Sequence, residues 1–371
     1  MIGMSRYSEW VSGKANRNRH MFEASRSSKQ FEKILFVDFP ARNMKRGIRV
    51  FFEDLLRARF GKTVQRGLLW RLAEIDSGVY VLTTVEHVFV RKQLVQRIRT
   101  CMAHLAITNP VLWSYAPTVP ECLTNIPSSV TIFDAVDDWT KHPSYASVRE
   151  QLQRNYDVIR RTVNVIITVS RQLMSRFPGR QNVFWVPNGV DVGRFRLRQQ
   201  RDGRPPVVVY VGILQERFDV ALVRELALAR PQYEFRLIGW VWKSLDISPL
   251  KRLANVRVLG FLPYDEIPKQ LAESNVGIIP HTRDGLAQSM NPLKLYEYLA
   301  AGVPVVTTEQ PDFQRFVGVR EAATAEEFAA AIDAFLRQPP DAATLRAHVE
   351  PFSWRNRFQS VMHHAGLAES A

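Results

Sequence analysis

Cysteine is almost missing: Cys101 and Cys122 are the only two in 371 residues. That excludes a disulfide framework and a cysteine-built zinc site. Long apolar runs are missing too. Crossing a bilayer takes roughly 20 apolar residues, and the best candidate, 78–90, is interrupted by Thr83, Thr84, Glu86 and His87. The opening MIGMSRYSEW lacks the basic-then-apolar layout of a secretion signal. Collagen-like, coiled-coil and low-complexity patterns find no support either. What is present, 46% hydrophobic and 23% charged residues, is the balance of a globular chain. The length suits two domains of roughly 150–200 residues. These features predict a cytoplasmic protein.

Charge is plentiful, and it is lopsided. The net charge is +14, but residues 1–200 hold 31 Lys and Arg against 16 Asp and Glu, whereas residues 201–371 hold 19 against 20. A cationic half beside a neutral one implies two units with different partners. Nucleic acid, an anionic membrane surface and a phosphorylated substrate all satisfy the charge, which by itself does not choose among them.

Short β-rich runs alternate with helical stretches along most of the chain. The strand candidates are Met1–Met4, Ile34–Phe39, Val79–Thr84, Ala106–Asn109, Val130–Ala135, Val165–Val169 and Val183–Val186, then Val207–Val211, Tyr233–Ile238, Val256–Leu259, Val276–Ile279 and Val303–Thr307. Between them, Tyr145–Thr162 places Val148, Leu152, Tyr156 and Ile159 at helical spacing. Continuous apolar strands suit a parallel sheet covered on both faces. The stretch Arg194–Pro206 is polar and ends in Gly-Arg-Pro-Pro, the composition of a linker. The predicted class is α/β, with two doubly wound Rossmann-like domains over 1–192 and 207–350, a linker at 193–206, and a C-terminal helix within 351–371. That helix, with Phe352, Trp354 and Phe358, suits packing on either domain. Two such domains facing each other leave a cleft for ligands.

The segment Ser289–Val306, SMNPLKLYEYLAAGVPVV, carries the chemistry. Ser289 or Asn291 can cap a helix, Pro292 suits its first position, and Gly302 followed by Pro304 stops it. The helix start offers free N–H groups and partial positive charge, which attract phosphate. Lys294 adds a full charge there, where the helix dipole disfavours a cation. Glu297 lies three residues on, sharing its face, and a carboxylate can hold both ribose hydroxyls. The plainer reading is an exposed Lys294–Glu297 ion pair worth a fraction of a kcal/mol.

With Leu293, these residues resemble the nucleotide-sugar motif of GT-B glycosyltransferases, in particular the GT4-like group 1 family. Asn182–Asp191 is similar to the family's strand and NGVD turn, and 165–170, 255–260 and 275–280 resemble further strands. The resemblance implies Glu297 on the donor ribose, and Asn291, Pro292, Leu293 and Lys294 at the diphosphate. Gly212 matches the glycine that lets backbone approach a phosphate. Two departures stand out. Ser289 occupies the place of an earlier family Glu, and Ile213 stands where Arg is common, leaving Arg217 near the family Lys. Arg217 reads equally as a diphosphate contact or a solvated charge.

On the other half, Phe133–Pro143 brings Asp134, Asp137 and Asp138 to the end of a strand. Carboxylates there need partners or a task. Deprotonating an acceptor hydroxyl is one such task; capping by Asp138 and a turn at Asp134 are the alternatives. The layout is similar to the membrane-associated glucuronosyltransferases of xanthan assembly. That resemblance implies Asp137 as base, with Asp138 as substitute, Lys294 on the diphosphate, and Glu297 in place of a Gln. Asn16–His20 is similar to an early basic loop, where Arg19 and His20 would steer an acceptor phosphate or simply begin a helix.

Residues 42–71 hold nine Lys and Arg against two acids, interleaved with Phe51, Phe52, Leu55, Leu56, Phe60, Leu68, Leu69 and Trp70. This pattern fits a helix lying on an anionic membrane, or a core-facing stripe with solvated arginines. The sequence therefore points to a metal-independent glycosyltransferase on the cytoplasmic membrane face. It would take UDP- or GDP-linked sugar as co-substrate, with no cofactor, and serve a saccharide or lipid-linked saccharide acceptor in bacterial surface polysaccharide synthesis. A retaining and an inverting outcome both remain open. A sugar-nucleotide epimerase on the same fold and a basic nucleic-acid binder are the competing classes; for the latter, no recognisable module is present.

Overall fold

A computed structural model describes residues 1–39, 44–57, 60–85, 91–199, 203–282, 289–309, 311–313 and 316–368. The chain divides into two compact units, Met1–Pro187 with Arg357–Ala371, and Asn188–Asn356.

The first unit is built on strands β1 (Ile34–Val37), β2 (Lys62–Gly67), β3 (Trp70–Asp76), β4 (Val79–Thr84), β5 (Val111–Ser114), β6 (Val130–Ala135), β7 (Val165–Thr168) and β8 (Val183–Trp185). They run in two sets, β1-β4-β3-β2 and β5-β6-β7-β8. The second set is parallel throughout. Ile2 bridges to both Val37 and Ser114, so it joins the two sets where a longer strand at Met1–Met4 was expected. Helix Arg149–Thr162 buries Leu152, Tyr156 and Ile159, and Tyr156 meets Phe133 and Phe177 edge-on. The expected first turn of that helix, from Tyr145, is instead part of a 3-10 turn at Pro143–Val148.

Two expectations need correction. The strand placed at Ala106–Asn109 is β5, further on. Ala106 adopts φ +53° just beyond helix Arg91–His104, and extended chain resumes only after Pro110. The single amphipathic helix over 42–71 does not form. A helix spans Met44–Arg57, and the chain then makes the antiparallel hairpin β2–β3, with Leu68 and Leu69 between its strands. Phe51 is buried, while Phe52 and Leu68 are exposed. Trp70 packs on the core under Arg97. Arg42 and Arg59, and the side chains of Leu55 and Leu56, lie outside the described residues.

The second unit holds β9 (Val207–Val211), β10 (Glu234–Ile238), β11 (Val256–Gly260), β12 (Val276–Ile279), β13 (Val305–Thr307) and β14 (Val319–Glu321). Their order is β11-β10-β9-β12-β13-β14, all parallel. This is a doubly wound sheet whose strand order reverses between β9 and β12, the place where such sheets take ligands. Both faces are covered. Helix Ala325–Arg337, opened by the Thr324–Glu327 capping box, lays Phe328, Ile332 and Phe335 on the core. Each such side chain contributes about 1.5–3 kcal/mol of apolar burial.

At Arg357 the chain returns to the first unit. There Phe358, on helix Trp354–His364, stacks on Trp113 at 6.3 Å, and His364 stacks on Phe184 at 4.0 Å.

Candidate functional site

Helix Leu293–Ala300 begins beside the reversal point, and its start is open. Pro292 is the cap residue and supplies no side-chain hydrogen bond. The cap expected from Asn291 is not made. Its Oδ1 instead accepts from the Asn188 N–H at 2.8 Å, and its carbonyl accepts from the Asn188 amide. Asn188 therefore fixes the chain that leads into the helix, while among the described residues the first-turn N–H groups receive no side-chain cap. The Nδ2 of Asn291 is buried and has no partner among the described residues. Further along, the Tyr298 hydroxyl accepts from the Val211 N–H at 2.7 Å, tying the helix to the end of β9.

Glycines let the loops close around this helix start. Gly212 follows β9 at φ +149°, and a Cβ there would lie 2.8 Å from the Lys294 Nζ. Gly239 follows β10 at φ +145°, where a Cβ would sit 1.9 Å from the Gly212 carbonyl oxygen. Side chains at either position would displace backbone or the ammonium.

The electrostatics follow from burial. The Lys294 ammonium sits 4.2 Å from the Tyr210 ring centre. Desolvation, helped by Arg217, lowers its pKa to about 7. Glu297 is only 6% exposed, which removes the reading of an exposed surface pair. Burial raises its carboxyl to about 7, against a hydrogen bond from the Tyr264 hydroxyl and the charge of Lys294. Tyr264, in the turn after β11, is itself held under the Arg194 guanidinium at 5.1 Å. Arg217 reaches the Met290 sulfur, and its carbonyl accepts from the Thr282 N–H at 2.8 Å. Gly212, Arg217, Asn291, Pro292, Leu293, Lys294 and Glu297 thus belong to one neighbourhood of the second unit.

Sequence reasoning missed two residues of that neighbourhood. Tyr264 holds the Glu297 carboxylate, and His281 lies just past β12 with 1% of its surface exposed. Burial, then Lys294 and Arg217, push the His281 imidazole well below its usual pKa, so the ring is neutral. The available signal was positional: Pro280-His281 directly follows the strand that flanks the reversal point.

The remaining candidates lie in the first unit. Asp134, at 0% exposure, is held by Arg17 Nε at 2.9 and 3.0 Å, and Arg17 also donates to the Pro187 carbonyl. Burial raises the Asp134 carboxyl, and Arg17 opposes the rise. Asp138 accepts from the Thr140 N–H at 3.1 Å and from its hydroxyl at 2.5 Å, so it shapes the turn. Asp137 is half-buried, and its carbonyl accepts from the Tyr156 hydroxyl. Asn16 caps helix Arg17–Ser28 through the Arg19 N–H. The Arg19 guanidinium donates to the Lys14 carbonyl at 2.7 Å, and His20 is buried on the same helix. Among the described residues, no group of three His, Cys, Asp or Glu is placed to hold a metal ion.

Comparison with known proteins points one way. Residues 205–338 match the family described as Glycosyl transferases group 1. Over 210 residues the chain is 30% identical to a Bacillus subtilis (strain 168) protein named as a teichuronic acid biosynthesis glycosyltransferase, TuaH; the match covers 52% of this chain and 53% of that one. The chain thus spans about half the length of this curated relative. Among solved structures, Anabaena HepE in complex with UDP-glucose has a similar fold, with a TM-score of 0.64 over 98% of this chain and 97% of that one at 16% identity. Sucrose-phosphate synthase from Thermosynechococcus elongatus gives 0.63 over 87% and 92%, also at 16% identity.

Proposed function

We propose that this chain, which has the GT-B fold and whose residues 205–338 belong to the group 1 glycosyltransferases, moves a sugar from a nucleotide diphosphate sugar to a saccharide acceptor. The observation that carries the reading is the open start of helix Leu293–Ala300, with Lys294 in its first turn and the buried Glu297 one turn on. The Glu297 carboxylate accepts both ribose hydroxyls. The Lys294 ammonium and the free helix N–H groups take the diphosphate, Gly212 lets backbone approach it, and Arg217 adds charge. These donors stabilise the negative charge that grows on the departing nucleotide, so no metal is called for.

Asp137 removes the proton of the attacking acceptor hydroxyl. Asp138, which accepts from Thr140 in its turn, is the substitute for this role. Arg19 and His20 are assigned to a phosphate of a lipid-linked acceptor, and Phe52, Leu68 and the basic helix Met44–Arg57 to the inner membrane surface. The name of the Bacillus relative supports an acceptor in surface polysaccharide synthesis. The solved complexes of HepE, named with UDP and UDP-glucose, support a UDP-linked donor.

The test is a melting series with UDP and GDP, since a ligand at 100 times its Kd stabilises by about 2.7 kcal/mol. One nucleotide raises the melting temperature of the parent protein, Glu297→Ala abolishes that rise, and Asp137→Ala keeps it while losing transfer. Near-full transfer by Asp137→Ala removes the base assignment. Isomerised sugar nucleotide formed without acceptor supports an epimerase instead.

A further inference from the structure

His281 poses a question that the donor assignments leave unanswered. Its ring is enclosed, yet neither Nδ1 nor Nε2 has a hydrogen-bond partner among the described residues. Buried polar groups in folded proteins nearly always find partners, because an unmet donor or acceptor retains its full desolvation cost. Packing alone would be served better by a phenylalanine. The chain holds the residue firmly nonetheless: the His281 N–H donates to the Ile279 carbonyl, and backbone pairing joins His281 to Phe218. That pairing brings His281 beside the loop bearing Arg217, and the charges of Lys294 and Arg217 act on its ring. The buried Nδ2 of Asn291, in the same neighbourhood, also lacks a partner. Two cations, a helix start without a side-chain cap and two sets of unmet polar atoms make a site suited to an anion.

We propose that His281 donates a ring N–H to a phosphate oxygen of the donor diphosphate, as a third binding group beside Lys294 and Arg217. This rests on the nucleotide-sugar reading of the same site. A neutral ring suits the role, since it carries an N–H without adding a third positive charge beside Lys294 and Arg217. Burial, aided by the positive field of Lys294 and Arg217, keeps it neutral.

The experiment measures calorimetric affinities for UDP and for uridine (GDP and guanosine if GDP is the nucleotide that stabilises the protein) in the parent, His281→Phe and His281→Gln. His281→Phe is expected to melt no lower than the parent without ligand, because it removes two unmet polar atoms. It binds the diphosphate about ten- to 150-fold more weakly, the range for a hydrogen bond to a charged group, and binds the nucleoside unchanged. His281→Gln restores part of the loss, and it stands in if the Phe variant fails to fold. Unchanged UDP affinity in both variants overturns the proposal, as does equal loss of UDP and uridine, which marks a structural role. A parent protein that binds neither UDP nor GDP overturns the functional reading itself, a distinguishable result.

Discussion

Replacing Gly212 by alanine separates the geometry of the donor site from its stability. At φ +149° an alanine costs on the order of 1–3 kcal/mol of backbone strain. The new methyl would also lie 2.8 Å from Lys294 Nζ, 3.0 Å from its Cε and 3.2 Å from the Tyr210 hydroxyl. Lysine ends are flexible, so the clash is relieved by swinging the ammonium off the Tyr210 ring and away from the helix start. The loss is then one charge-assisted contact to phosphate, about 1.5–3 kcal/mol, or roughly ten- to 150-fold in affinity. Gly260→Ala is the control: φ is +71° there, and nothing lies within 4 Å of the added methyl. Calorimetric titration with UDP and a melting scan on both variants read the two effects. Both variants melt lower, and only Gly212→Ala binds weakly. Equal UDP affinities in the two would refute the placement of Lys294 at the diphosphate.

Other consequences are as definite. Lys294 must be charged to meet a diphosphate, and burial lowers its pKa to about 7. In Glu297→Gln, which removes the opposing titration of that carboxyl, affinity for a nucleotide sugar is therefore highest at low pH and falls about tenfold per unit once pH passes the Lys294 pKa; a flat profile from pH 6 to 9 contradicts this. Arg17→Ala strands the buried Asp134 carboxylate and costs about 3–5 kcal/mol in denaturant unfolding, whereas Arg17→Met with Asp134→Leu costs much less. Phe358→Ala removes a ring packed on Trp113 and Phe31 and costs about 3–5 kcal/mol, measured the same way.

The second unit was the more legible half of the sequence. Its central strands β9 and β12 carry no charged side chain, are bounded by Gly, Pro or Asn, and fall at Val207–Val211 and Val276–Ile279 as the sequence predicts. The helix over Leu293–Ala300 was legible from its punctuation, although the cap was not. Asn291 has the chemistry of a cap, but Asn188, 103 residues away, takes its side chain. The hairpin β2–β3 was hidden because its apolar residues, continuing from Phe51 and Phe52, mimic helical spacing, and only the register with β4 reveals the alternation. Tyr264 and His281 were illegible for a related reason. Neither belongs to a motif, and each matters through what the sheet brings beside it.

The route of the backbone has a practical corollary. Asn188–Asn356 is one unbroken stretch, whereas the other half needs Arg357–Ala371 to complete it. A gene fragment covering 188–356 is thus a natural candidate for expression by itself, with the nucleotide assays transferred to it. Cutting after Pro187 would yield a piece with Trp113 stripped of its Phe358 cover. Rejoining the tail to that piece through a short engineered loop, as in circular permutation, is the rational way to obtain the remaining half alone.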